Sequence, residues 1–287
     1  MSAPFSVDKL LTLLDTVSPF SQAAAWDNVG LMVGAADREV SGILLALDPT
    51  PELLAECRHH HCNTIITHHP PIFHPLSSIR SDQPEGQLVS QAIKDNINLL
   101  ACHTNLDVVT DGVSEVLARL LGVTASVPLA PLDPPSDASA TTNANLPANG
   151  FGRYGPLATP LSGAEFLARI ASRLKLPALA VAGPLPEQVA TVAVCGGSGS
   201  DLARRAAEVG ADIYITAEIK HATARWAESR GLCVVDAGHF ATENPVVVKW
   251  AELIETHLAA AGHPVPVYSS RTQEGPFKSY SYHQPNS

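Results

Sequence analysis

Apolar positions along the chain collect into short continuous runs separated by helix-length amphipathic stretches. The runs at 42–48, 63–67, 98–102, 189–195, 212–216 and 232–237 are bounded by polar or turn residues and read as strands buried on both faces. Between them, helical spacing is expected over 6–14, 51–60, 86–95, 112–121, 201–209 and 219–230. A long helix then runs to about residue 260, followed by a strand at 265–270 and a polar tail from 279. Strands alternating with helices predict an α/β fold with mainly parallel sheets covered on both faces.

The pattern lapses between Pro128 and Gly150, where Pro, Ala, Ser, Thr and Asn replace any apolar periodicity. That composition reads as an extended or flexible insert, too short and too polar for a core of its own. It divides the chain into a first α/β domain over 1–127, the insert over 128–150 and a second α/β domain over 151–237. Residues 238–287 are expected to return to the first domain. Ser162 and Glu165, ahead of an apolar helical run, have the form of a capping box.

Composition narrows the function classes. The 287 residues carry 18 Lys plus Arg against 28 Asp plus Glu, a formal net charge of −10 with no basic cluster, which disfavours binding to nucleic acid. The apolar runs are far shorter than a membrane span. The start Met1-Ser2-Ala3-Pro4-Phe5 lacks the basic and apolar regions of a signal peptide, so a cytoplasmic protein is expected. Five cysteines without a C-x-x-C pair, Cys102, Cys195 and Cys233 among them inside strand runs, read as reduced residues, those three as core.

Candidate chemistry sits where strands end. His68-His69-Pro70-Pro71 closes the 63–67 run, His103 and Asp107 follow 98–102, and His239 and Glu243 follow 232–237. In open α/β sheets ligands bind beyond the carboxyl ends of the strands, so three such ends can converge on one metal-binding crevice, with room for two ions. Adjacent side chains at His68 and His69 diverge, which suits one histidine per ion, although a hydrogen-bonded pair without metal is the alternative. Asp107 is the favoured bridge between two cations, against a turn or capping role. His103 is placed as an orienting neighbour or proton carrier. His239 and Glu243, four residues apart, share a helical face, with helix capping the competing role for Glu243.

Three further motifs receive plainer readings. Cys57-Arg58-His59-His60-His61-Cys62 is assigned to a helix end rather than a metal site. The turn Cys195-Gly196-Gly197-Ser198-Gly199 is equally a tight turn or an anion cradle. Glu218 is either a cap or a second proton carrier.

The order Trp26-Asp27-Asn28-Val29-Gly30-Leu31, Ile66-Thr67-His68-His69-Pro70, His103 with Asp107, Gly196-Gly197-Ser198-Gly199 and Gly238-His239-Phe240-Ala241-Thr242-Glu243 resembles the Nif-three-like family, whose members are often labelled GTP cyclohydrolase I type 2. The resemblance runs from Asp8 to about Lys278 outside the insert. It implies two related α/β/α domains, a metal site in the interdomain cleft and a toroidal homohexamer. It also implies His68, His69, Asp107, His239 and Glu243 as ligands of two divalent metal ions, of which Zn, Mn, Fe, Co and Ni all suit a mixed nitrogen and oxygen set. The family label points to a metal-dependent hydrolase of nucleotide-like or cyclic amide substrates, with His103 moving protons. A non-catalytic metal-binding scaffold, or a storage or delivery ring, is the alternative. Met32 and Ala217 stand where Gln and Gly are common in the family, departures that bear on substrate contacts.

Overall fold

A computed structural model describes residues 4–132 and 149–278. In chain order the helices and strands are α1 (Val7–Val17), β1 (Gly30–Val33), β2 (Ile43–Ala46), α2 (Pro51–His59), β3 (Thr64–Thr67), α3 (Pro84–Lys94), β4 (Asn98–Ala101), α4 (Thr104–Val108), α5 (Val113–Leu121), β5 (Val127–Pro131) and β6 (Gly150–Leu161). They continue as α6 (Gly163–Leu174), β7 (Ala180–Ala182), β8 (Val189–Ser198), α7 (Ala203–Glu208), β9 (Ile213–Ala217), α8 (His221–Arg230), β10 (Cys233–Asp236), α9 (His239–Glu243), α10 (Pro245–Ala260) and β11 (Val267–Ser269).

The strands form two sheets in a mixed α/β fold. The first has the order β1-β4-β3-β2-β11, with β4, β3, β2 and β11 parallel and β1 an antiparallel edge. The second has the order β5-β6-β8-β9-β10-β7. Only its centre, β8 with β9 and β10, is parallel. The pairing of β11 with β2 carries the last strand back onto the first sheet.

Side-chain alternation explains why both faces are covered. Ile43, Leu45, Ile66 and Leu100 pack with residues of α1 and α10, while Leu44, Ile65 and Leu99 pack with α2 and α3. The second sheet repeats this: Val192, Val194, Ile213, Ile215 and Val235 face α5 and α6, and Ala193, Tyr214 and Val234 face α7 and α8. A strand buried on both sides is apolar at most positions, with polar exceptions such as Thr64, Thr67 and Asn98 near the strand ends, which is why these runs look near-continuous rather than alternating.

Four strands, β1, β5, β6 and β7, escape the apolar-run criterion. β6 carries Gly150, Gly152, Gly155, Pro156 and Pro160, a composition that hides a strand. β1 and β7 are edge strands of four and three residues. The insert expected over 128–150 is corrected at its ends: Val127–Pro131 pairs antiparallel with the start of β6, Pro131 opposite Gly150. The remainder of that stretch, 133–148, lies outside the described residues. The capping box is present, Ser162 Oγ accepting from Glu165 N and the Glu165 carboxylate accepting from Ser162 N. Among the described residues no helix is long and apolar enough to cross a membrane.

Candidate metal centre

Parallel register brings the first group of side chains level. Ala46 pairs with Thr67 and Thr67 with Ala101, so two residues further on Asp48, His69 and His103 leave neighbouring strands side by side. His69 Nδ1 lies 2.7 Å from Asp48 Oδ1, and His103 Nδ1 lies 2.8 Å from Asp27 Oδ1. Asp27 is itself fixed by the Thr104 amide at 3.0 Å and its hydroxyl at 2.5 Å. His68 turns into the interior, 1 % exposed, and its Nδ1–H donates to the Cys102 carbonyl at 3.1 Å.

The second sheet supplies the opposite wall. α9 follows β10 through Gly238, and its first residue, His239, has Nδ1 2.8 Å from Glu218 Oε1. Glu218 directly follows β9 with a left-handed φ of 54°, a backbone state that costs a non-glycine residue roughly 1–2 kcal/mol. Such strain persists where surrounding contacts demand it. Glu243, 4 % exposed at the end of α9, reaches into the middle. Its Oε1 lies 3.7 Å from His68 Nε2, and its Oε2 lies 3.1 Å from His69 Nε2 and 3.0 Å from His239 Nε2. Asp107, in α4, approaches His68 Nε2 to 3.6 Å.

All four imidazoles thus have Nδ1 held by an oxygen, which leaves Nε2 as the free nitrogen of each. This is the arrangement that orients metal-ligating histidines, the outer oxygen fixing tautomer and ring direction. Two features of the group are compatible with a bound cation. His68 Nε2 and Glu243 Oε2 are buried with no aligned hydrogen bond, and the Nε2 atoms of His69 and His239 face each other at 3.3 Å. Ligand atoms of His69, His239 and Glu243, and separately of His68, His69 and His103, lie within 4.8 Å of one another.

Charge coupling is strong. Burial opposes protonation of His69, yet Asp48 and Glu243 outweigh it and raise its pKa to about 10. Contact with Glu243 carries His239 to about 9. His68 is also raised, Asp107 and Glu243 overcoming its burial. Burial lifts Asp107 to about 6, with His68 opposing, whereas Glu243 is held well below the carboxylate range by the surrounding imidazoles despite burial. Without metal His68, His69 and His239 therefore hold their protons more tightly than free imidazoles.

The floor of the site is the glycine turn. A Cβ on Gly197, whose φ is 63°, would sit 2.0 Å from Glu243 Oε1 and 3.2 Å from His239 Nε2. The turn is thus glycine because the cluster leaves it no space. Gly197 N donates to Thr242 Oγ1 at 3.0 Å, tying the turn to α9. Beneath Asp107, the buried Arg153 guanidinium donates to the carbonyls of Val108 and Val109 at 3.2 and 2.9 Å, and to those of Gly150 and Gly152 at 2.6 and 2.9 Å. It clamps the end of α4 to β6.

The structure brings His68, His69, His103, Asp107, His239 and Glu243 together. Glu243, rather than Asp107, takes the central position between the imidazoles. Glu218 holds His239 Nδ1. Asp48 and Asp27 were missed in the sequence. Asp48 closes a strand run level with His69, and Asp27 lies in the Trp26-Asp27-Asn28 segment, so register and motif were the available signals. The five cysteines are buried thiols, and burial pushes Cys57, Cys102 and Cys195 up to about 12.

Fold and site define a two-sheet α/β protein whose facing strand ends gather imidazoles around a buried carboxylate. The chain belongs to the DUF34/NIF3 (NGG1p interacting factor 3) family, whose model matches residues 5–276. A Streptomyces coelicolor relative named GTP cyclohydrolase 1 type 2 homolog is 34% identical over 288 residues, covering 98% of this chain and 96% of that protein. A Clostridium acetobutylicum relative of the same name is 32% identical over 272 residues, covering 95% and 98%. Among solved structures, a Staphylococcus aureus hypothetical protein superposes with a TM-score of 0.88 at 29% identity, covering 97% of this chain and 100% of that one. A Bacillus cereus protein related to NIF3 also gives 0.88, at 24% identity, with the same coverage of 97% and 100%, a likeness of fold.

Proposed function

We propose that this protein is a dinuclear metal-dependent hydrolase acting on a nucleotide-like or cyclic amide substrate. The observation that carries the reading is Glu243: its two oxygens face different imidazoles, whose Nδ1 atoms are all engaged elsewhere. His68 and Asp107 would hold one cation and His69 and His239 the other, with Glu243 shared between them. Two divalent cations held there supply Lewis acidity and make water nucleophilic near neutral pH.

The remaining steps belong to the chain. Asp48, Glu218 and the Cys102 carbonyl fix the ring orientations, so the ligand nitrogens need no rearrangement. His103 Nδ1 is tied to Asp27, which leaves Nε2 to take or deliver a proton at the leaving atom. The names of the curated relatives favour a purine nucleotide within the substrate class. Assembly as a toroidal homohexamer, with the cluster in the cleft between the two sheets, is part of the same proposal and is checked by light scattering, which should give six chains.

The deciding experiment loads purified protein with Zn, Mn, Fe, Co or Ni and assays nucleotides, phosphodiesters and cyclic amides. Turnover that requires metal, disappears on chelation and collapses in Asp107→Asn is the expected result. Full metal occupancy with no turnover on any substrate would instead favour a non-catalytic scaffold, or a metal storage or delivery ring.

A further inference from the structure

Beside the metal cluster lies an aromatic surface that the proposed chemistry does not use. Trp26 is 64 % exposed and Phe73 is 39 % exposed, although both are large apolar side chains. The ring centroids of Trp26 and Phe73 are 6.0 Å apart, and they lie 6.2 and 6.1 Å respectively from that of His103, both edge-on to the imidazole. The three rings make a nearly equilateral group, one corner of which is a candidate member of the cluster.

This surface is built rather than incidental. Asn28 Nδ2 donates to the Ile72 carbonyl at 2.6 Å, joining the Trp26 segment to the Phe73 segment across 44 positions of sequence. Asp27, between Trp26 and Asn28, is bonded to His103 and Thr104. The backbone next to each exposed ring is therefore anchored while the ring itself stays open to solvent. Exposed aromatic surface held in place at the edge of a polar site marks a binding surface. The Trp26 and Phe73 planes are inclined at 59°, so a planar partner stacks on the face of the more exposed Trp26 with Phe73 closing its edge, and the adjacent histidines select one with nitrogen or oxygen at its rim.

We propose that Trp26 and Phe73 form a stacking wall that holds a planar heteroaromatic ring of the substrate against His103 at the metal centre. This deepens the hydrolase reading and rests on it for the identity of the bound molecule as substrate. The wall would distinguish fused-ring compounds from cyclic amides without a π face.

The test uses the metal-loaded protein and two probes: guanosine, which has the fused ring and no phosphate, and ribose 5-phosphate, which has no aromatic ring. Calorimetric titration should show guanosine binding and ribose 5-phosphate failing to compete. Trp26→Leu should weaken guanosine by roughly fivefold to a hundredfold, the span seen when one stacked base loses its aromatic partner. Trp26→Phe should restore most of it, which a loss of apolar area alone does not explain. Metal content should be unchanged, because neither residue donates a ligand atom. Equal guanosine affinity in wild type and the Trp26→Leu/Phe73→Leu double variant would overturn the wall, as would no binding to the wild type. So would a change in the number of associated chains in Trp26→Leu with guanosine affinity unaltered, which would make the surface a contact between copies. Stacking-dependent guanosine binding by metal-loaded protein that turns over none of the nucleotides, phosphodiesters or cyclic amides would leave the wall standing and sink the hydrolase.

Discussion

Two histidine-rich stretches of this chain begin nine residues apart and have opposite fates. His59-His60-His61 ends α2, with His59 and His61 exposed and His60 stacked on Tyr268 at 4.3 Å. His68-His69 ends β3 and is drawn into a polar interior by carboxylates from both sheets. Residue type is the same in both. The difference is where the backbone delivers the ring and what holds its Nδ1. At a helix end the imidazoles splay over the surface beside the terminal carbonyls. At the ends of parallel strands the register sets neighbouring side chains level, and oxygens behind each ring turn Nε2 toward a common centre. Among the described residues the candidate metal groups contain His68, His69, His103, His239 and Glu243, and none of His59, His60 or His61.

The comparison breaks most severely at Glu243. Replacing it by Ala removes the one carboxylate in contact with three of the imidazoles, and both ions are expected to be lost. Elemental analysis after dialysis should fall from up to two transition-metal ions per chain to near none; retention of the wild-type content would show that the strand-end histidines bind without it. Gly197→Ala attacks the same atom from below. The new Cβ forces the Glu243 carboxylate aside and must adopt a left-handed φ, a cost of roughly 1–2 kcal/mol in backbone alone. A lowered melting temperature together with loss of at least one ion is expected, whereas an intact metal content would mean the turn can shift freely.

pH tests how tightly the cluster holds its protons. The folded pKa values of about 10 for His69 and about 9 for His239 lie above the unfolded value of about 6.5. Their contribution to the stability of the metal-free protein is therefore fully present below about 6.5 and lost as pH rises through 9 to 10. Glu243, depressed by the same contacts, contributes stability above its unfolded pKa that is lost only in acid. A cation must displace the histidine protons, so metal affinity should climb with pH over that window and loading should release protons. Melting curves should show the metal-free protein weakening from neutral to alkaline pH while the loaded protein does not. Titration in buffers of different ionisation enthalpy counts the protons, and zero release would contradict that hold.

Much of this was legible in the sequence. Strands buried on both faces announce themselves as unbroken apolar runs, so β2, β3, β4, β8, β9 and β10 were found and the ligand-type residues fell at their ends. β6 was not, because a strand carrying Gly155 and Pro156 has neither the propensity nor the pattern of one. The sequence favours Asp107 as a bridge because its two carboxylate oxygens can each take one cation. Glu243 holds the centre because α9 starts after Gly238 and projects it back between the sheets, a matter of tertiary geometry. Asp48 and Asp27 carried only indirect signals, strand register for one and the Trp26-Asp27-Asn28 motif for the other, because each acts on a histidine distant in the chain.

A milder change separates ligand from support. Asp48→Asn keeps the shape that meets His69 Nδ1 but removes the charge behind it. Losing such an outer partner typically weakens metal binding about 10–100-fold. Competition with a chromophoric chelator should detect that shift with little change in melting temperature, since Asp48 is partly exposed. An unaltered affinity would mean that the strand register alone aims the ring.

The smallest effect is expected at the other histidine stretch, and it is the control that makes the comparison bite. His59 and His61 end α2, where a protonated imidazole gains about 0.3–1 kcal/mol from the helix dipole and a neutral one gains little. The double variant His59→Ala/His61→Ala should therefore bind metal in the same stoichiometry and with the same affinity as wild type. It should melt within a few degrees of it, because neither side chain is buried. Cys62, the next residue in the chain, is buried with its Sγ 3.7 Å from the His60 carbonyl, and among the described residues it belongs to neither candidate metal group. Loss of a metal ion in this variant would show that clustering of histidines in sequence can recruit a site without the outer oxygens, and the distinction drawn between the two stretches would fall.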